Sequence, residues 1–504
     1  MQKKIFLQKL IKKGLIILFW LLVWQLAASM AHNDILLVGP LQVGRAFLGN
    51  IVELDFYRIV FHSLCRIGLG FLTALLFGLA AGACSYRYPY VRDVLSPVIT
   101  TLKAIPVASF VVLLLIWFGA ARLSFWISFF IVFPNVYVNT VAGLQSTDER
   151  LLEMARTLGM PGWNRAWYLY RPALMPYLVS CLKISLGMSW KSGVAAEVIG
   201  LPAYSLGERL YLSKIYLDTA GVFAWTLTII LLSFCFEKLV MMLVSRIAGW
   251  EPPLLGRASK ERMSGAVPGI AGCAEVIGED ICVKNVSKAY GEEQVLCGFS
   301  CTIEAGGRYC LMAPSGSGKT TLFRLISRME RADEGSIEGA PEQIGMVFQE
   351  DRLCESYDTL TNIMLTMDWK GTGNQAFRRA KIAKKAREEA ARILPEDCLT
   401  KPVSELSGGM RRRCAILRAM LSGADVIMMD EPFTGLDEEN RRRTAAYIME
   451  KLSGRTLIVT THREQDAELL DAVLLAYPGS IATASGSRFV HRRQSADGAK
   501  VPCS

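Results

Sequence analysis

The sequence predicts a multi-domain chain: an all-α part of six membrane-crossing helices, followed by an α/β domain. Three observations carry this reading. The first 246 residues hold six apolar runs, each close to the roughly 20 residues that a helix needs to cross a bilayer. From Ile281 onward, short apolar strands alternate with helical stretches. Between the two regimes, residues 247–278 are rich in Gly, Pro, Ser and Ala and lack apolar periodicity, as a linker would. The expected organisation is therefore 1–246 membrane domain, 247–278 linker, 279–484 α/β domain and 485–504 polar, flexible tail.

Composition supports the division. Of 504 residues, 52% are hydrophobic and only 20% charged, a balance too apolar for a purely soluble protein. The net charge of +10 fits basic cytoplasmic loops. No basic stripe interleaved with aromatics runs through the chain, so nucleic acid is not an expected partner. The 13 cysteines include no Cys-x-x-Cys pair, and there are four histidines. Neither a disulfide framework nor a zinc site is expected.

The apolar runs are Gly14–Met30, 59–84, 96–118, 122–145, 173–200 and 222–246. Lys3, Lys4, Lys9, Lys12 and Lys13 precede the first and would hold the N-terminus in the cytoplasm. The segments 86–93 and 146–172, which carry Arg87, Arg92, Arg150, Arg156, Arg165 and Arg171, would then be cytoplasmic too. After six crossings the C-terminal half also lies inside. Lys191 and Glu197 fall within an apolar run, where ionisable groups are costly. Either they line a transport path or Glu197 makes a structural hydrogen bond to a neighbouring helix. The basic stretch 377–387 reads as a solvated helix face or as a patch attracted to anionic membrane lipid.

The C-terminal half carries its chemistry in three places. Ala313, Pro314, Ser315, Gly316, Ser317, Gly318, Lys319 and Thr320 follow an apolar strand, and a helix begins near Thr321. Such a loop turns backbone N–H groups toward phosphate oxygens. Lys319 would neutralise phosphate charge and Thr320 would bind Mg²⁺. Ala313 stands where glycine is usual and fits only if its φ is negative. The strand Val426–Met429 ends in Asp430 and Glu431: one carboxylate to hold Mg²⁺ through water, one to act as general base. Ser407, Gly408 and Gly409 open a helix whose N–H groups could grip a phosphate.

In this order the motifs resemble the ATPase of an ATP-binding cassette (ABC) protein, an α/β P-loop NTPase, over residues 279–484. The resemblance implies further roles. Tyr290 would stack on adenine, Gln349 would contact Mg²⁺ and the attacking water, Asp437 would lie at a dimer contact, and His462 would touch the γ-phosphate. The 407–409 set would close on ATP held by a second copy of the chain. Met410, where glutamine is common, followed by Arg411-Arg412-Arg413, is a variant seen among importers.

The segment 146–172 contains Glu153-Met154-Ala155, then Gly159, then Leu169-Tyr170-Arg171-Pro172. It resembles the coupling loop of bacterial ABC import permeases, with Met154 in place of an Ala and Arg171 in place of a Leu. With His62-Ser63-Leu64-Cys65-Arg66, Lys103-Ala104-Ile105-Pro106, Trp117-Phe118-Gly119, Trp190 and Ala196-Glu197, residues 55–246 look like permeases of the nitrate, sulfonate and taurine importers. The resemblance implies a homodimer in the cytoplasmic (inner) membrane, an extracytoplasmic substrate-binding protein, ATP and Mg²⁺. The cargo would be a small solute of those types or a vitamin precursor. An exporter half-transporter and a non-transport ABC ATPase are the alternatives.

Overall fold

The computed structural model of the chain describes residues 2–31, 33, 35–249, 276–314, 316–367 and 375–475. Most of the expected linker, Ser315 and the expected tail lie outside the described residues. The chain divides into two compact units, one of Met1–Ser146 with Pro172–Trp250, the other of Thr147–Arg171 with Glu251–Ser504.

The first unit is helical. Its long helices are Gln2–Ala31, Leu54–Arg87, Ala120–Gln145, Arg171–Gly200 and Thr219–Gly249, with shorter helices Pro40–Val52, Pro89–Ala104, Val107–Phe118 and Leu206–Ile215. Many outward residues are apolar, among them Leu69, Leu72, Leu76 and Phe77. A helix that is hydrophobic all round suits lipid, because its backbone polar groups are satisfied internally.

Among the described residues, Leu54–Arg87, Ala120–Gln145 and Thr219–Ile247 are long and apolar enough to cross a membrane. The run expected as one span at 96–118 is instead broken. Pro89–Ala104 and Val107–Phe118 meet at a bend of 108° and count as a fourth span only if taken together. The cause is Pro106, which disfavours helical backbone at the residue before it. Ile105 is extended, with ψ 127°, and so is Pro106. Gly14–Met30 is a shorter apolar helix. The fifth expected run lies in Arg171–Gly200, which carries Lys183, Lys191 and Glu197 and is not among the helices apolar enough to cross.

Leu54–Arg87 packs tightly against Ala120–Gln145, and glycine makes it possible. A Cβ on Gly70 would lie 2.4 Å from the carbonyl oxygen of Phe125; on Gly78 or Gly82 it would lie 2.7 Å from the side chain of Val136 or Thr140. With Ala74 these residues form a four-residue repeat of small side chains, the pattern that lets helix backbones approach in membranes. Phe71, Val132, Val136, Leu182 and Leu186 fill the core beside the seam.

The second unit holds two sheets. A three-stranded antiparallel sheet runs in the order β2-β1-β4, from β1 (Ile281–Tyr290), β2 (Glu293–Ile303) and β4 (Glu334–Glu338). A five-stranded parallel sheet runs β5-β6-β7-β3-β8, from β3 (Arg308–Leu311), β5 (Ile344–Val347), β6 (Val426–Asp430), β7 (Thr456–Thr460) and β8 (Val473–Leu474). Every residue of β5, β6 and β7 is buried, as expected of parallel strands covered on both faces. The helix Gln375–Ala390 buries Ala386 and Ala390 and exposes Lys381, Lys384, Lys385 and Arg387, a solvated face.

Gly70→Ala should lower the stability of the purified protein by about 1–3 kcal/mol, the cost of overpacking. Gly49→Ala, whose Cβ would meet nothing within 4 Å, should leave it unchanged. Thermal unfolding in detergent reads both; equal midpoints for the two variants would show that the seam does not constrain the fold.

Candidate nucleotide site and coupling segment

Strand order places the chemistry. β3, β7 and β6 are neighbours, with Leu311 paired to Thr460 and Asp430 paired to Thr460. The loops after these strands therefore leave one carboxyl edge of the sheet, the usual ligand crevice of parallel α/β folds.

The loop after β3 turns through Gly316 (φ +82°) and Gly318 (φ +88°) into the helix Lys319–Ile326. Both are backbone conformations that glycine adopts freely. Ala313 is not among the residues with positive φ, and its side chain packs in the core, so alanine is accommodated there. The Lys319 Nζ donates to the carbonyl oxygens of Ala313 and Pro314, the latter at 2.8 Å. Burial pushes the Lys319 ammonium below its ordinary range, and the carboxylates of Glu431 and Asp430 pull it back. The Ser317 hydroxyl is buried without a hydrogen-bond partner among the described residues. A buried cation and an orphaned hydroxyl in a glycine turn fit the phosphates of a nucleotide.

Asp430 is buried. Its carboxylate accepts from Thr460 Oγ1 at 2.5 Å and from Thr320 Oγ1 at 3.4 Å. The hydroxyl and carboxylate oxygens of Thr320 and Asp430 are the hard donors that Mg²⁺ takes. Glu431 has φ +49°, rare for a non-glycine residue and a common feature of active sites. Its backbone N–H donates to the Thr460 carbonyl at 3.0 Å, which fixes the turn. Its carboxylate meets His462 Nε2 at 2.8 Å and accepts from Thr434 Oγ1 at 3.2 Å. The structure thus brings Lys319, Thr320, Asp430, Glu431 and His462 to one edge.

Other expected residues stand differently. Tyr290, at the end of β1, is exposed, and its hydroxyl donates to Glu330. Gln349 is exposed, and among the described residues no hydrogen bond joins it to Asp430 or Glu431. Ser407 caps the helix Gly408–Met420 by accepting from Met410 N at 3.4 Å. Asp437 caps Glu438–Leu452 through Asn440, whose backbone N–H holds its carboxyl below the usual range. Ser407, Gly408 and Asp437 are exposed, and among the described residues no hydrogen bond or ion pair joins 407–409 to 316–321.

The segment Thr147–Arg171 packs as part of this same unit. Asp148 caps its helix Glu149–Thr157. Met154, replacing the usual alanine, is fully buried with Leu158 among Val283, Leu322 and Leu325, while Leu152, Ala155, Met160 and Leu169 enter the neighbouring core. Gly159 has φ +63°, which accounts for glycine there. Glu153 pairs with Arg352 Nη1 at 2.8 Å and Arg324 Nη2 at 3.5 Å. Arg324 lies on the phosphate-loop helix, and Arg352 lies three residues after Gln349. Pro172 starts the return into the first unit.

Sequence spacing assigns no role to Arg324, Arg352 or Arg418, and it names Arg412 only among the basic residues that follow Met410. Arg412 donates to the carbonyls of Phe348 (2.5 Å) and Gln349 (2.8 Å); Arg418, fully buried, donates to those of Arg352 (2.7 Å) and Asp351 (3.0 Å). Position within the Gly408–Met420 helix is the one signal that could have found the last two: Arg412 and Arg418 are six apart in a stretch otherwise apolar after Arg413.

In the first unit, Glu197 is fully buried. It accepts from Ser63 Oγ at 2.8 Å and from the backbone N–H of Gly207 at 3.3 Å, at the start of the helix Leu206–Ile215. Arg66 Nη1 lies 4.0 Å away. This arrangement has the form of a structural anchor between three helices. Lys191 is exposed and lies apart from it.

Arg418→Leu would strip two carbonyls of their donor and should destabilise the unit by about 1–3 kcal/mol. Calorimetric unfolding of the purified chain measures this; an unchanged midpoint would show that the 351–352 turn stands without it.

Comparison with known proteins agrees with this layout. Residues 74–249 match the family described as binding-protein-dependent transport system inner membrane component, and residues 296–434 match the ABC transporter family. The chain is 34% identical over 199 residues to Nod factor export ATP-binding protein I of Burkholderia lata, covering 37% of this chain and 64% of that protein. It is 33% identical over 215 residues to a sulfate/thiosulfate import ATP-binding protein of Halalkalibacterium halodurans, covering 40% and 60%. It is 34% identical over 213 residues to an aliphatic sulfonates import ATP-binding protein of Paraburkholderia xenovorans, covering 40% and 58%. The chain thus spans between 58% and 64% of the length of these three relatives. It carries, on one polypeptide, a permease domain of the binding-protein-dependent transport family and an ABC transporter ATPase domain.

Proposed function

We propose that this chain is the membrane and motor subunit of an ATP-driven importer. Two copies would pair in the cytoplasmic (inner) membrane, with the N-terminus and the ATPase inside, and take cargo from an extracytoplasmic binding protein. The cargo class is a small solute such as nitrate, a sulfonate, taurine or a vitamin precursor. The observation that carries the reading is Glu153. It sits in a segment between two membrane-unit helices, yet its carboxylate is held by Arg324 of the phosphate-loop helix and Arg352 beside Gln349. A change at the nucleotide site is therefore felt one residue contact away by a segment continuous with the membrane helices.

The residues have separable roles. Lys319 and the N–H groups of the glycine turn would bind phosphate. Thr320 and Asp430 would hold Mg²⁺, which neutralises phosphate charge when bound. Glu431, which meets His462 and Thr434, would accept a proton from water, and His462 would touch the γ-phosphate. Among the described residues no hydrogen bond or ion pair joins Ser407–Gly409 to the phosphate loop of its own chain, and this supports completion of each site by a second copy. Relatives named for export and for import share the ATPase half, so the direction of transport rests on the permease half.

Glu431→Gln should reduce ATP turnover about a hundredfold or more, the usual worth of a general base, with nucleotide still bound. Phosphate release and binding of a fluorescent ATP analogue test this; turnover within twofold of the parent would remove Glu431 from that role. Glu153→Ala should retain nucleotide binding but lose ATP-driven uptake in proteoliposomes supplied with a binding protein. Uptake at the parental rate would separate the Arg324 and Arg352 contacts from transport.

A further inference from the structure

A chain of side chains runs from the end of β1 to the segment Thr147–Arg171. Tyr290 donates its hydroxyl to one oxygen of Glu330. The other oxygen of that carboxylate meets Arg324 Nε at 3.1 Å, and Arg324 Nη2 meets Glu153 at 3.5 Å. The second oxygen of Glu153 goes to Arg352 Nη1 at 2.8 Å. Glu330 and Glu153 thus each spend two oxygens on two different partners, and Arg324 divides two nitrogens in the same way.

Backbone contacts hold this chain in register. After the helix Lys319–Ile326 the backbone turns at Arg328, whose φ of +57° is uncommon for a non-glycine residue. Arg328 Nη2 donates to the Ala340 carbonyl at 2.7 Å, and the N–H of Glu330 donates to the Arg324 carbonyl at 3.2 Å. Asp333 accepts from the Ala289 N–H at 2.8 Å and from Lys288 Nζ at 2.7 Å, and its own N–H donates to the Ser287 carbonyl at 3.0 Å. Glu330 is therefore clamped between the phosphate-loop helix and the end of β1. Ion pairs at an open surface contribute little one by one. Here the Glu330 side chain is only 20% exposed and both of its oxygens are engaged, so a displacement on one side is passed to the other.

We propose that Glu330 is a positioning residue for the nucleobase. It holds the Tyr290 ring where the base stacks, and it shares Arg324 with Glu153, so that occupancy of the base end bears on the segment Thr147–Arg171. Lys319 and Thr320 stand outside this chain of contacts, so the base is sensed separately from the phosphates. The role rests on Tyr290 being the ring that stacks on adenine.

The experiment is titration of the full-length protein in lipid nanodiscs with Mg²⁺-ATP and with inorganic triphosphate, which has no base. Glu330→Ala and Tyr290→Phe should each weaken ATP binding about three- to tenfold, the worth of one hydrogen bond, and the double variant should be no weaker than either. Glu330→Ala should bind triphosphate within about twofold of the parent, whereas a general loosening of the phosphate loop would weaken both ligands. Glu153→Gln and Tyr290→Phe should be non-additive in ATP affinity by about threefold, and additive once Glu330 is replaced by alanine. Parental ATP affinity in Glu330→Ala, an equal loss of both ligands, or additivity of Glu153→Gln and Tyr290→Phe with Glu330 present overturns the proposal. Tyr290→Ala tells the two roles apart. Parental ATP affinity in that variant removes the stacking role and the proposal with it; weakened ATP there, with parental affinity in Glu330→Ala and Tyr290→Phe, removes only the part given to Glu330.

Discussion

The buried carboxylate of Asp430 organises the nucleotide site. It closes the end of β6, takes the hydroxyl of Thr460 from β7, and faces Thr320 at the start of the phosphate-loop helix. Three chain segments that are far apart in sequence are thereby fixed at one sheet edge. A buried charge is tolerated only when it is hydrogen-bonded, so the two threonines are part of the condition for having the carboxylate there at all. The sharp turn at Glu431 follows directly, with its N–H tied to the Thr460 carbonyl. Strain at that residue is held by the same strands that hold Asp430.

Around this edge, arginines do what backbone pairing cannot. The irregular turn 348–352 has carbonyls that belong to no sheet. Arg412 and Arg418 supply the missing donors from one helix, which Ser407 caps. The turn in turn presents Arg352 to Glu153. A continuous set of charge-assisted hydrogen bonds therefore runs from the Ser407 helix through the Gln349 turn to Glu153 in the segment Thr147–Arg171. Being largely buried, these contacts are little weakened by salt.

Much of this was legible in the sequence, for identifiable reasons. The glycine turn, Lys319 and the paired acids report local backbone needs, which sequence spacing encodes. The alternation of apolar strands and helices gave the α/β class. Glu153 and Gly159 were legible because their spacing in a basic loop is distinctive. What spacing does not encode is the partner across the fold. Arg324, Arg352 and Arg418 look like ordinary helix or loop arginines until the chain folds. The 96–118 run has the apolar length of one span, whereas Pro106 breaks it at a bend of 108°, which an apolar run does not reveal. Glu197 was flagged by its cost, but its use as a cap on a helix ten residues later depends on a turn that composition does not reveal. The glycine seam could have been noticed, since Gly70, Ala74, Gly78 and Gly82 share one helix face; its partner helix could not.

The placement of Thr147–Arg171 with the ATPase has a consequence for synthesis. This unit is discontinuous in the chain, so its first piece leaves the ribosome long before the bed it packs on. About a hundred residues separate Arg171 from Ile281, an interval of roughly 5–20 s at ordinary elongation rates. During that time Met154, Leu158 and Leu169 have no core to enter. A helix of nine residues is marginal alone in water, so Glu149–Thr157 gains lasting order only when that core forms. The segment between two helices of the first unit thus depends for its packing on sequence made after it.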